Sequence, residues 1–320
     1  MPRQARLDVP GALHHIMVRG NNRSDILLDD QDRQKFLERL GVVVTEAGSS
    51  VLAWSLMNNH VHILFKSGQD GISSVMRKLL TWYAIYFNRK YRRTGHLFEN
   101  RYKSILCEED RYLVALIRYI HLNPVRSGTV KTLDELDNYP WTGHSVIIGR
   151  NQQEWMDTGY CLSQFGNELR RARIRYRKFI EDGLSQGHIP EFSGGGLLKS
   201  HGGWSAVKSM KRRNEKPAHD ERILGGDDFV NRVLLETDEK GKQQYKAKRS
   251  GTTITDVITE KVRQLGVSEK ALRSGSRRQK VSEARRLVAV ECSEELGMTA
   301  ADIARCLGVT TSAIVKALRK

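Results

Sequence analysis

The apolar run from Val51 to Phe65 constrains the fold most, because it is interrupted once, at Met57-Asn58-Asn59, and resumes with His60-Val61-His62. Leu52, Trp54 and Leu56, then Ile63 and Phe65, follow the partly alternating pattern of strands, and the asparagine pair supplies turn residues between them. The stretch therefore reads as a hairpin, Val51 to Met57 and His60 to Lys66. Side chains alternate along a strand, so His60 and His62 fall on one face. Such a pair suits a metal ion, or a buried structural role in which each ring bonds its neighbours.

Leu13 to Arg19 and Lys103 to Cys107 also read as strands, Asp30 to Ala47 and Ile72 to Arg92 as helices, and a further helix starts near Asp110 and stops before Pro124. The order βαββαβα predicts an α+β domain: a ferredoxin-like antiparallel sheet of four to five strands with helices on one face. In the last helix Leu113, Leu116, Ile117 and Ile120 recur at helical spacing and are expected on the sheet, leaving Tyr112, Ala115 and Tyr119 on a different stripe. Asn123 follows Tyr119 by four residues, so the two share a face, whereas His121 points away from Tyr119. An amide oxygen at Asn123 is a hard ligand suited to Mg²⁺ or Mn²⁺; the same residue also suits a helix cap ahead of proline. A tyrosine hydroxyl beside a metal-polarised phosphate is a nucleophile, and a half-buried tyrosine with its hydroxyl bonded is the ordinary alternative.

Charge points to a polyanion. The chain of 320 residues carries a formal charge of +16 with 39% hydrophobic residues, enough for one sizeable core and a second small one. The positive residues cluster at 89–93, 208–213 and 277–280. Arg19-Gly20-Asn21-Asn22-Arg23 after the first strand, with Arg101 and Lys103 around the fourth, offers guanidinium, amide and ammonium groups to clamp unpaired bases. Trp82, Tyr83, Tyr86 and Phe87 on the long helix are read as packing rather than as a stacking platform. No Gly-x-x-x-x-Gly-Lys-Ser/Thr loop is present, and Gly194 to Gly196 lacks the context of a phosphate cradle, so no nucleotide cofactor is expected. The N-terminal residues lack a signal-peptide core, no run approaches the about 20 apolar residues of a membrane span, and Cys107, Cys161, Cys292 and Cys306 are scattered. A cytoplasmic protein without disulfide framework, zinc knuckle or membrane partner is expected.

Beyond residue 150 the pattern weakens. Arg170 to Ile180 reads as a basic helix, 183–203 as a glycine-rich loop and 211–220 as a charged connector, while Gly202-Gly203-Trp204 receives no role. Periodicity returns at Ser282 to Leu296. Thr299 to Asp302 then resembles a capping box, Leu307-Gly308-Val309 a turn, and Thr310 to Arg319 a second helix, which together make a helix-turn-helix. Three parts are expected: 1–150, a nuclease domain; 151–245, a helical and loop-rich connector; 246–320, a DNA-binding domain.

Three motifs in order, His60-Val61-His62, Gly95-His96-Leu97-Phe98-Glu99-Asn100-Arg101 and Tyr119-Ile120-His121-Leu122-Asn123-Pro124-Val125-Arg126, resemble the HUH-type single-strand DNA transposases, in particular the REP-associated tyrosine transposases, over roughly residues 5 to 150. The resemblance implies the HUH fold, His60 and His62 as metal ligands, Asn123 as the third ligand, and Tyr119 as the nucleophile that forms a 5′-phosphotyrosine bond. It also implies DNA contacts, among which Arg126 is counted, and imperfect hairpins of repetitive palindromes as substrate. The C-terminal stretch resembles the DNA-binding domain of the bacterial replication initiator DnaA, which nominates Thr310, Thr311, Ser312 and Lys316 for the major groove of duplex DNA.

The resulting expectation is a monomeric or homodimeric transposase acting in DNA transposition and recombination. Two alternatives stand beside it: a non-catalytic DNA-binding regulator, and a metal-dependent nuclease that activates water.

Overall fold

The structure, a computed structural model, describes residues 7–9, 11–68, 71–185, 220, 222–236, 253–274, 276, 278–296, 298 and 300–318. It divides into two compact units, 1–231 and 232–320. The triglycine at Gly194, Gly202-Gly203-Trp204, the 208–213 cluster, Arg277 and Thr299 of the expected capping box lie outside the described residues.

The first unit is α+β. Strands β1 (Leu13–Arg19), β2 (Ser50–Leu56), β3 (His60–Lys66) and β4 (Lys103–Cys107) pair antiparallel in the order β2-β3-β1-β4 of a ferredoxin-like sheet. A two-residue strand, β5 (Ile223–Leu224), adds to β4 in parallel and completes five strands. Helices α1 (Asp30–Glu46) and α2 (Gly71–Lys90) fill the crossovers. Asp29 and Asp32 cap the start of α1 reciprocally. Asp32 is fully buried and meets the Lys90 ammonium at 2.8 Å, so the pair ties the first turn of α1 to the last turn of α2.

Both faces of the sheet are buried, as the neighbours His15 at 1% and Ile16 at 0% exposure require, so helices on one face alone do not describe it. On the Ile16 face Trp54 packs against Trp155, and Gly41 of α1 lets that indole in: a Cβ there would sit 2.4 Å from Trp155 Cδ1. On the His15 face lies α3 (Glu109–His121), whose Tyr119 ring meets those of His15 and His62. Helix α3 ends at His121 because Pro124 cannot extend it, and the one-turn α4 (Asn123–Arg126) restarts with proline in its first turn.

Helices α5 (Leu133–Asn138), α6 (Gly143–Ile147), α7 (Thr158–Ser163) and α8 (Leu169–Asp182) follow. Tyr176 of α8 joins them to α3: its hydroxyl lies 2.7 Å from His121 Nδ1 and 3.0 Å from His144 Nδ1, while His144 Nε2 lies 2.8 Å from Asp137. The carboxylate can only accept, so His144 donates from Nε2 and accepts from Tyr176, whose oxygen accepts from His121. His121 thus turns away from Tyr119, as its helical offset requires.

The second unit is helical: α9 (Ile254–Leu265), α10 (Glu269–Arg273), α11 (Gln279–Glu294), α12 (Ala300–Leu307) and α13 (Thr311–Leu318). Val257, Leu272, Val288, Cys292, Ile303, Leu307 and Ile314 form its core. Gly308, at φ 64°, makes the turn between α12 and α13, and the Thr310 hydroxyl accepts from the Ala313 amide at 3.3 Å, capping α13. Thr311, Ser312 and Lys316 lie on that helix, with Thr311 and Ser312 exposed at its start. No helix among the described residues is long and apolar enough to cross a membrane.

Burial holds His14 on β1 neutral, with its pKa lowered to about 4 against a weaker upward pull from Asp8. Unfolding releases it to about 6.5, so its contribution is complete above that pH and is lost as pH falls toward 4, a loss of about 3 kcal/mol. Urea titrations from pH 7.5 to 4.5 are expected to show a slope of this sign, to which His60 and His62 add, and His14→Gln should reduce it without abolishing it.

Candidate nucleic-acid cleavage site

The site begins with strand register. Arg19 pairs with His60 and Met17 with His62, and one row across the sheet runs Ser55, His62, Met17, Lys103. Directly paired residues share a face, so both histidines, Arg19 and Lys103 project toward the side on which Tyr119 lies. The His60 and His62 ring centroids are 5.1 Å apart, and that of Tyr119 is 6.0 Å from His62 and 5.8 Å from His15, edge to face in each case. Two imidazoles and the phenol expected from sequence therefore converge, with a third imidazole among them.

Tyr119 is a core residue, only 3% exposed, although its spacing sets it on a different stripe from the four aliphatic positions. The apolar arc of α3 is wider than the four aliphatic positions, since Tyr112 and Tyr119 are buried with them. Burial raises the Tyr119 pKa, opposed by the positive charges of Arg126 and Arg19. Arg126 lies half-buried over the phenol ring, its guanidinium carbon 5.0 Å from the centroid and Nη1 donating to the Tyr119 carbonyl at 2.9 Å. The same side chain thereby braces the tyrosine.

His60 and His62 are both neutral by burial. The His60 pKa is lowered to about 4, first by desolvation and then by Arg19; that of His62 falls well below its usual value through desolvation, then His15, His60 and Arg19. Each ring has its δ nitrogen engaged: His60 Nδ1 with Asn59 Oδ1 at 2.6 Å, His62 Nδ1 with His15 Nε2 at 2.9 Å. Their ε nitrogens make no hydrogen bond among the described residues. Asn123 opens α4, and its amide nitrogen is buried with no hydrogen-bond partner among the described residues. Unspent ε nitrogens backed by bonded δ nitrogens fit a divalent ion; the unsatisfied Asn123 nitrogen is a donor, so that side chain would serve an ion only through its oxygen. Among the described residues no group of three or more His, Cys, Asp or Glu is arranged for a metal, so any ion here depends on the histidine pair and the amide.

The loop after β1 is exposed at Asn22 and Arg23, both at positive φ (52° and 58°), with Asn21 half-buried. Gly20 precedes it where any side chain would strike the Ser24 carbonyl, 2.0 Å from a Cβ. Asn21 donates its amide to the Leu97 carbonyl and Glu99 to that of Arg19, so the 95–101 motif lies alongside the end of β1. Arg101 and Lys103 are exposed there. Sequence reading missed His15 and Asn59; the signals were the His14-His15 doublet, one of which must share the His62 face, and an asparagine next to a ligand histidine.

Residues 9–123 match the family model described as Transposase IS200 like. The transposase match ends at Asn123 and so includes Arg19, His60, His62 and Tyr119, while α5 onward and the second unit lie beyond it. No curated protein matches the chain. Among solved structures, that of a REP-associated tyrosine transposase bound to a REP hairpin is similar at 18% identity, covering 49% of this chain and 98% of that one, with a TM-score of 0.38.

Because Tyr119 is packed, its ring and its hydroxyl separate experimentally. Tyr119→Ala is expected to cost about 3–5 kcal/mol of folding stability and Tyr119→Phe about 1 kcal/mol or less. Urea unfolding of the two variants measures the difference.

Proposed function

We propose that the transposase domain is a metal-dependent single-strand DNA endonuclease and strand transferase in which Tyr119 is the nucleophile, His60, His62 and Asn123 hold Mg²⁺ or Mn²⁺, and the substrate is an imperfect hairpin of repetitive palindromic DNA. The observation that carries this reading is the edge-to-face packing of the Tyr119 ring on His62 at 6.0 Å. An ion bound there would act as Lewis acid on the scissile phosphate.

The phenolic oxygen attacks phosphorus; the new bond is Tyr119 Oη to phosphorus, and the bond to the 3′ oxygen breaks. The phenolic proton departs to water and the released 3′ oxygen takes one up, leaving a free 3′-hydroxyl and a 5′-phosphotyrosine. Attack by another 3′-hydroxyl reverses these changes and joins the strands without a nucleotide cofactor, because the ester retains the energy of the cleaved bond. Arg126 and Arg19 favour ionisation of a phenol that burial opposes. Arg19, Asn21, Asn22, Arg23, Arg101 and Lys103 supply contacts to the unpaired strand, by charge to phosphate and by amide to base.

The second unit is proposed to hold duplex DNA through α13, with Thr311, Ser312 and Lys316 entering the major groove and Thr310 setting the helix start. On this reading one unit keeps a target and the other cuts.

Incubation with single-stranded hairpin oligonucleotides and Mn²⁺, followed by peptide mass mapping, is expected to find DNA on Tyr119. Tyr119→Phe should give no adduct and no cleavage. Cleavage that survives this change would point to activated water, and a wild-type protein that binds hairpins without cutting under any divalent ion would point to a regulator. For the second unit, Lys316→Ala should weaken duplex binding about uniformly across sequences and reduce the salt slope by about one, read by fluorescence anisotropy.

A further inference from the structure

The histidine pair is held from behind by side chains to which neither motif nor family match assigns a role. Asn59 Nδ2 donates to the Arg23 carbonyl at 3.1 Å, which fixes the amide so that Oδ1 faces His60 Nδ1 at 2.6 Å. An amide oxygen accepts only, so His60 carries its proton on Nδ1 and keeps a lone pair on Nε2. At His62 the δ nitrogen meets His15 Nε2 at 2.9 Å, between two buried rings. Either ring can donate in that bond, but donation by His62 alone leaves its Nε2 as a lone pair.

We propose that His15 and Asn59 are positioning residues: His15 accepts from His62 and Asn59 from His60, so that both ε nitrogens are bare and aimed before any divalent cation arrives. This rests on the metal reading above. Position in the fold supports it. His15 stands on β1, one strand from His62, and its ring also meets Tyr119 at 5.8 Å, so one rigid side chain contacts both ligand and nucleophile. Asn59 is tied twice to the loop after β1, since its carbonyl also accepts from the Gly20 amide at 2.9 Å. A ligand histidine oriented through its other nitrogen is the usual construction of a protein metal site, and loss of the orienting partner weakens metal binding about 10- to 100-fold.

The test uses the full chain without DNA. Long-range proton–nitrogen spectra of histidine-labelled, metal-free protein should show the proton on Nδ1 and a bare Nε2 for both His60 and His62. Free Mn²⁺ measured by electron paramagnetic resonance should report affinity lowered about 10- to 100-fold in His15→Leu and in Asn59→Ala, with His15→Gln, which keeps an acceptor, recovering most of it. A proton on His62 Nε2 overturns the proposal, and because that spectrum is taken on the wild-type protein it decides the matter even where His15→Leu fails to fold. Wild-type Mn²⁺ affinity in His15→Leu, with affinity lost in His62→Ala, overturns the positioning role and leaves the metal reading standing. Unchanged affinity in His62→Ala overturns both.

Discussion

The chemistry of the first unit depends on the antiparallel register of β1 against β3, which sets Arg19 opposite His60 and Met17 opposite His62. A slip of one residue turns every side chain of a strand to the other face. Here it would exchange His60, His62 and Leu64 for Val61, Ile63 and Phe65 on the side covered by α3. The apolar residues of the opposite face, packed beneath Trp54 and Trp155, make that slip costly. The hydrophobic core on one side of the sheet thus enforces the placement of the imidazoles on the other.

That placement works against stability. Imidazole and phenol groups sit where aliphatic side chains would pack without desolvation cost, and the lowered histidine and raised tyrosine pKa values record it. The compensation is local and polar. Asn59 and His15 each bond one ring nitrogen, Arg126 binds the Tyr119 carbonyl, and the Tyr176 network holds the end of α3 through His121. Groups fixed this way on strands and a helix are held more closely than loops hold theirs.

Much of this arrangement was legible in the sequence because it rests on periodicity. The hairpin, its two histidines on one face and the α3 boundary at proline follow from the strand period, the turn residues and the backbone of Pro124. Spacing does not report which strands are neighbours, so His15 could not be set beside His62. Nor does it report what covers a face. Tyr119 is buried because α3 lies directly on the histidine side, a tertiary fact invisible in its own helix. Strand β5 was hidden for a different reason: Ile223-Leu224 is two residues long, far from β4 in sequence, and carries no alternation to detect. The row that ends in Lys103 likewise becomes a site feature only through pairing.

The electrostatics at these rings favour an anion. Arg19 acts on His60, His62 and Tyr119, Arg126 acts on Tyr119, and among the described residues the main charges that shift these three are positive or imidazole. The ligands proposed for the ion are neutral: two imidazoles, each already without its second proton, and an amide. A divalent ion on such a set would keep its full charge and add to that of the guanidinium groups. On the proposed reading, a phosphodiester would supply negative charge to this site. If both a cation and a DNA strand bind here, linkage requires each to raise the affinity for the other by the same factor.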